Sequence, residues 1–138
     1  MTDINAWNQS IINEFRENAG VVGGPFEGAT VTLITHTGAK TSTVRTNPLC
    51  CTIDNGDVVI IASKAGAPTH PHWYLNLKAN PTCTVELGTE KFEATAVEAV
   101  GADRDALFAA QAAVLPQFND YVVGAGDRVI PVLRLQRK

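Results

Sequence analysis

No stretch of this chain approaches the ~20 consecutive apolar residues that a membrane-spanning helix needs, and its opening residues, MTDINAWNQS, lack the basic start and apolar centre of a signal peptide. A cytoplasmic protein without integral membrane contact is the expectation. Cysteine is scarce too. The three thiols, two of them adjacent at Cys50 and Cys51, form neither a disulfide framework nor a CxxC metal motif, so reduced structural thiols are expected. Basic charge is in short supply, with 11 lysines and arginines against 14 acids, which argues against a nucleic-acid partner. The chain has no Gly-x-Ser-x-Gly elbow, and nothing in sequence pairs a serine or cysteine with a histidine for nucleophilic catalysis. His70 and His72, two apart, would face different ways, so no metal site with His36 is expected. Internal repeats and low-complexity segments are absent.

What is present is core material. With 138 residues and 45% hydrophobic content, the chain can form one compact domain. Trp7, Ile11, Ile12 and Phe15, with Ile4 before them, fall on one face of an amphipathic helix capped near Thr2 or Asp3, and a flexible connection through Val21 to Pro25 follows. That face could dock on the rest of the protein, lid a pocket or touch a membrane surface. Docking is the main expectation, because few lysines or arginines mark the polar face, which leaves only weak peripheral membrane contact. Residues 1–24 are therefore read as helix and linker, and residues 25–138 as the main domain.

Within that domain, strands are expected over Thr30 to Thr37, Val44 to Ile53, Val58 to Ser63, Cys83 to Leu87, Lys91 to Val100 and Val129 to Leu135. Asp54-Asn55-Gly56-Asp57 is a strong hairpin turn, and Gly88-Thr89-Glu90 makes a second. Helices are expected over Pro71 to Ala79, with Thr69 or His70 as cap, over Asp103 to Val114, and around Gln117 to Val123. Six short strands, two tight hairpins and short flanking helices suit a mainly β (α+β) antiparallel barrel, closed or partly closed.

The stretch Ala62 to Pro81, ASKAGAPTHPHWYLNLKANP, crosses from a strand to a helix with little side-chain bulk except one lysine, and reads as one wall of a ligand site. The competing reading is an ordinary loop with Trp73 as a core anchor. From Gly28 to Asn80 the cations Lys40, Arg45, Lys64 and Lys78 meet only Asp54 and Asp57, whereas acids dominate from Glu86 to Asp105. An anionic small molecule would be steered to the first half.

These residues, with THTGAKTSTVRTNPL (Thr35 to Leu49) and DRVIPVL (Asp127 to Leu133), resemble the deazaflavin-dependent nitroreductase family, over roughly Ala29 to Leu135. The resemblance implies a six-stranded split β-barrel related to pyridoxamine-phosphate-oxidase-type proteins, and the cofactor F-420 (8-hydroxy-5-deazaflavin), with FMN as the alternative. Lys40, Thr41 and Arg45 match the residues that hold the cofactor's anionic tail. The family turn is typically Gly-Arg-Lys-Ser-Gly, so Ala39 here lacks a guanidinium and Ser42 stands in place of a glycine. Thr46, Asn47, Pro48 and Leu49, then Ile61, Ala62, Ser63 and Lys64, then His72, Trp73, Tyr74, Leu75 and Asn76, are implied to line the deazaflavin. Ser63 and Tyr121 are implied to orient the acceptor, in a substrate pocket with Leu115 and Phe118, where other members often carry tyrosines. The implied activity is hydride transfer from the reduced cofactor to a quinone, enone or nitro compound. A non-catalytic deazaflavin carrier is the rival from another class, and a homodimer is among the states left open.

Overall fold

The computed structural model describes residues 4–23, 30–40, 42–63, 69–126 and 128–138, with side chains from residue 7 onward. The expected caps Thr2 and Asp3, the cofactor candidates Thr41 and Lys64, the small-residue run 64–68, the linker residues Gly24 and Pro25 with residues 26–29 after them, and Asp127 lie outside the described residues. The order is α1 (Ile4–Glu17), β1 (Thr30–Thr37), β2 (Val44–Asp54), β3 (Asp57–Ile61), α2 (His72–Ala79), β4 (Thr82–Leu87), β5 (Glu90–Ala99), α3 (Gly101–Val114), α4 (Gln117–Ala125) and β6 (Val132–Arg137). No helix among the described residues is long and apolar enough to cross a membrane.

The strands close into a barrel in the order β1-β2-β3-β6-β5-β4, every neighbouring pair antiparallel. Both hairpins form as their turn chemistry dictates. Asn55 (φ 51°) and Gly56 (φ 85°) occupy the two left-handed positions of the β2–β3 turn, which Asn-Gly adopts readily. Gly88 (φ 58°) opens the β4–β5 turn, which lets Leu87 pair with Glu90.

Strand alternation sorts the apolar side chains into layers. Val58 and Ile60 of β3, and Leu133 and Leu135 of β6, point into the barrel with Ile34, Cys51, Cys83, Val85 and Ala94. Their neighbours Val59, Ile61 and Val132 point outward beneath α3 and α4, meeting Leu107, Phe108, Ala112 and Phe118. Burial pushes the thiols of Cys51 and Cys83 up to about 12 and about 11, which keeps both as inert core groups.

Helix α1 docks rather than hangs free: Ile11, Ile12 and Phe15 cover Val31 and Leu33 on the outer face of β1. Arg16 adds a forked pair to Glu86 of β4, Nε to Oε1 at 3.1 Å and Nη2 to Oε2 at 2.9 Å. The segment expected to be a flexible connection is pinned over its first half. Gly20 N–H reaches back to the Phe15 carbonyl at 2.8 Å, Val22 is buried in the α1 cluster, and Gly23 N–H donates to Glu14 Oε2 at 2.6 Å. A Cβ on Gly20 would stand 2.7 Å from Gly88 Cα, so two backbones touch there.

Several expected boundaries shift, among them the end of β3, which stops at Ile61 and not at Ser63. Strand β6 starts at Val132, not Val129, because Pro131 has no N–H for the ladder and contributes only its carbonyl, which accepts from Ala62 N–H at 2.9 Å. Pro71, and not Thr69 or His70, is the N-cap of α2 instead of its first residue, with extended backbone (φ −68°, ψ 152°). Helix α3 begins at Gly101, two residues before Asp103.

Candidate functional site

The barrel brings most of the expected site to one end, where β1, β3 and β5 finish, β2, β4 and β6 begin, and α2 contacts the end of β1. Helix α2 has two different faces. Trp73, Tyr74 and Leu77 turn into the barrel core, with Trp73 and Tyr74 each 7% exposed. Trp73 is thus the core anchor of the competing reading, whereas His72 and Leu75 face outward and Asn76 is half-buried. The Tyr74 hydroxyl donates to Glu98 Oε1 at 2.6 Å, and burial followed by this bond pushes its phenol well above the ordinary value. Lys78 pairs with the same carboxylate at 3.2 Å. Donation from Tyr74 is the largest cause holding Glu98 below the usual carboxylate range.

Lys78, counted in sequence among the cations available to an anion, is therefore committed elsewhere. So are the acids of the first half, since Arg134 pairs with Asp54 at 2.7 Å and Asp57 at 3.6 Å. Lys40 and Arg45, both exposed, have no acid partner among the described residues. They flank the β1–β2 turn, which Gly38 N–H closes on the Thr43 carbonyl at 2.8 Å. At the position of the family's glycine, Ser42 holds φ 58°.

Behind that turn lies a chain of polar groups that sequence reasoning missed. Ala39 N–H donates to Asn76 Oδ1 at 3.0 Å; Asn76 Nδ2 meets His36 Nδ1 at 3.1 Å; His36 Nε2 meets Asn47 Oδ1 at 2.6 Å. His36 is 2% exposed, and burial first, then the charge of Arg45, lowers its pKa against the opposing effect of the Asn47 bond. Beside it, Thr35 and Thr46 share a 2.8 Å hydroxyl pair across the strands.

A second missed residue is Arg128, which lies in the stretch DRVIPVL but had been given no role. Its Nη1 donates to the Ala62 carbonyl at 2.9 Å and to His70 Nδ1 at 3.1 Å, and its Nη2 donates to the Ser63 carbonyl at 2.8 Å. The guanidinium fork thereby fixes the chain where β3 leaves the barrel and where Ser63 is placed. His70, lowered by burial and then by Arg128, packs its ring 4.8 Å from Tyr74. The three histidines have separate surroundings, His72 being exposed, and no metal-holding group is found among the described residues.

Leu115, Phe118 and Tyr121 come together in the outer hydrophobic cluster that also contains Ile61. Phe118 is only 7% exposed, with ring contacts to Phe108 at 6.4 Å and Tyr121 at 5.0 Å, so its ring is mostly core. Tyr121 and Leu115 are half-buried and reach the surface. A cavity of about 250 Å³ opens elsewhere, between Leu77, Lys78, Pro81, Ala96, Glu98 and Leu133, and contains none of the expected residues.

Residues 7–136 match the family described as F420H(2)-dependent quinone reductase. An F420H(2)-dependent quinone reductase of Mycobacterium tuberculosis is 43% identical over 83 residues, which is 59% of this chain and 56% of the relative. The chain thus spans little more than half the length of these curated relatives. A solved F420-H2-dependent reductase, FDR-A, superposes with a TM-score of 0.72 at 35% identity, covering 84% of this chain and all of that one. A domain-swapped dimer superposes with a TM-score of 0.73 at 32% identity, over 97% of this chain and 100% of the other.

Proposed function

The chain belongs to the F420H(2)-dependent quinone reductase family, and from that premise we propose that it is an oxidoreductase that uses reduced coenzyme F-420 to reduce a quinone or a comparable electron-poor small acceptor. The support is the convergence, on one barrel end, of two cations unpaired with any described acid, a polar chain and an apolar cluster. Lys40 and Arg45 suit an anionic tail, because each can give a charge-assisted hydrogen bond to phosphate or carboxylate without first breaking an ion pair to any described acid. The exposed side chain of Leu75, beside His72 and Asn76, offers an apolar surface for a flat ring system.

When bound, the coenzyme supplies the hydride, which is the difficult part of the chemistry. The protein's own residues bind, orient and keep water away. Arg128 holds the Ser63 carbonyl, so the Ser63 side chain starts from a fixed backbone. Tyr121, braced against Phe118, can present its hydroxyl to an acceptor oxygen as negative charge develops there. Around it, Leu115 and Phe118 favour an apolar, quinone-like acceptor over a strongly polar one. A homodimer belongs to the same reading, because one relative is a domain-swapped dimer; size-exclusion chromatography with light scattering tests it.

The deciding experiment is anaerobic turnover of reduced F-420 with quinone, enone and nitro acceptors, with FMN replacing F-420 as control. Quinone-dependent oxidation of the coenzyme is expected. Tight F-420 binding without turnover on any acceptor would make the protein a carrier instead. In parallel, Lys40→Ala and Arg45→Ala should each weaken F-420 binding by ~1 to 3 kcal/mol, less at high salt. Unchanged affinity in both at low salt overturns the tail assignment.

A further inference from the structure

The hydrogen-bond chain from Ala39 to Asn47 can run in only one direction. A backbone N–H can only donate, so Asn76 Oδ1 accepts from Ala39 and the atom that Asn76 turns toward His36 is its NH2 group. His36 Nδ1 must then offer a lone pair, which places the ring's single proton on Nε2. That proton can go only to an acceptor, so the atom of Asn47 at 2.6 Å is its carbonyl oxygen. The remaining half of the Asn47 side chain, its Nδ2 with two N–H donors, has no partner among the described residues. Asn47 is half-buried, and this donor is not spent on any of the described residues.

We infer that His36 is a positioning residue that fixes the amide polarity of Asn47, making Asn47 a committed N–H donor toward an acceptor atom of the bound ligand. Without His36, an asparagine amide can rotate and present either its oxygen or its nitrogen. With it, Asn47 accepts a ligand edge that carries a carbonyl or ring-nitrogen lone pair and rejects one that carries an N–H or O–H at the same place. The inference rests on the cofactor reading above, since a deazaflavin ring system has carbonyl acceptors that such a donor would bind. It also links two parts of the site. The same relay that orients Asn47 begins at Ala39, next to Lys40, so the turn that would hold the tail and the group that would hold the ring share one set of hydrogen bonds.

The test begins with the protein free of ligand. Nitrogen-15 shifts of the His36 ring at neutral pH should show a protonated Nε2 and an unprotonated Nδ1; the opposite tautomer overturns the relay. In Asn76→Asp the new side chain can only accept, so His36 should take a second proton at Nδ1, and an unchanged ring spectrum overturns the wiring. Coenzyme F-420 is then titrated, following tryptophan fluorescence, into the native protein, Asn47→Asp and Lys40→Ala. Asn47→Asp keeps the acceptor for His36 but has no N–H, and should bind F-420 about tenfold more weakly or worse. If Lys40→Ala weakens binding and Asn47→Asp does not, the donor role of Asn47 is wrong while the cofactor reading stands. If both variants bind as tightly as the native protein, the cofactor reading fails and the role of Asn47 with it.

Discussion

Ser42 sits at φ 58°, a left-handed conformation in which its Cβ crowds the following carbonyl. Glycine adopts this conformation without that penalty, at the expense of a more flexible unfolded chain. The first effect, ~1 to 2 kcal/mol, exceeds the second, ~0.5 to 1 kcal/mol, so Ser42→Gly should stabilise the protein by roughly 0.5 to 1 kcal/mol, read from the denaturant midpoint. An unchanged or lower midpoint would mean that the serine hydroxyl offsets the strain. His36 gives a pH prediction. Its pKa lies below the ordinary 6.5, with burial as the largest cause; the charged group facing it is Arg45 from β2, while α2 presents the neutral Asn76. Below pH 6.5 the unfolded chain takes a proton that the folded His36 still refuses. Stability is therefore full above that pH, and falls as pH drops from there toward the folded value. His70 is shifted the same way, so comparing thermal unfolding of the native protein and His36→Phe between pH 7 and 5 isolates the His36 part. Equal slopes in the two proteins would contradict a buried neutral imidazole.

At the scale of elements, α1 separates two kinds of attachment. Phe15 is 2% exposed against Val31 and Leu33, so Phe15→Ala should cost about 3 to 5 kcal/mol. The Arg16–Glu86 pair is well formed, but the Arg16 side chain is 49% exposed, and Arg16→Ala should cost less than about 1 kcal/mol, most of it screened by salt. Chemical denaturation of both variants at low and high salt checks the contrast; equal losses would mean that the helix is held by charge. The elements themselves were legible in sequence because their signals are local: Asn55-Gly56 for a hairpin, alternating β-branched residues for strands, Pro116 for the break between α3 and α4. The facing of α2 was less so. Whether Trp73 lines a ligand or fills the core depends on Ile34, Val85 and Leu133, which meet it only after the barrel has closed. His36 and Arg128 were missed for the same reason. Their partners lie up to 66 residues away, and neither carries a sequence pattern that names a carbonyl or an amide as its target.

Across the whole molecule, the barrel leaves no strand of its ring without a neighbour on each side, but its contacts are not equally long. The β1–β2 ladder registers eight residue pairs, whereas the β1–β4 closure registers three. Helix α1 lies over that closure, resting its apolar face on β1 and reaching β4 through Arg16. Amide exchange in Leu33 to Thr35 should therefore quicken in Phe15→Ala more than exchange in β5 or β6, and a uniform change would deny α1 this local role. The arrangement also imposes an order in time. Glu86 is made 70 residues after Arg16, so during synthesis α1 emerges with Ile11, Ile12 and Phe15 uncovered and no complete surface to receive them. On a ribosome-bound chain halted before β4 has emerged, the helix should be cut readily by a protease. Once β4 and β5 are free of the exit tunnel it should become resistant, so α1, made before every strand of the barrel, is among the last elements to find its place.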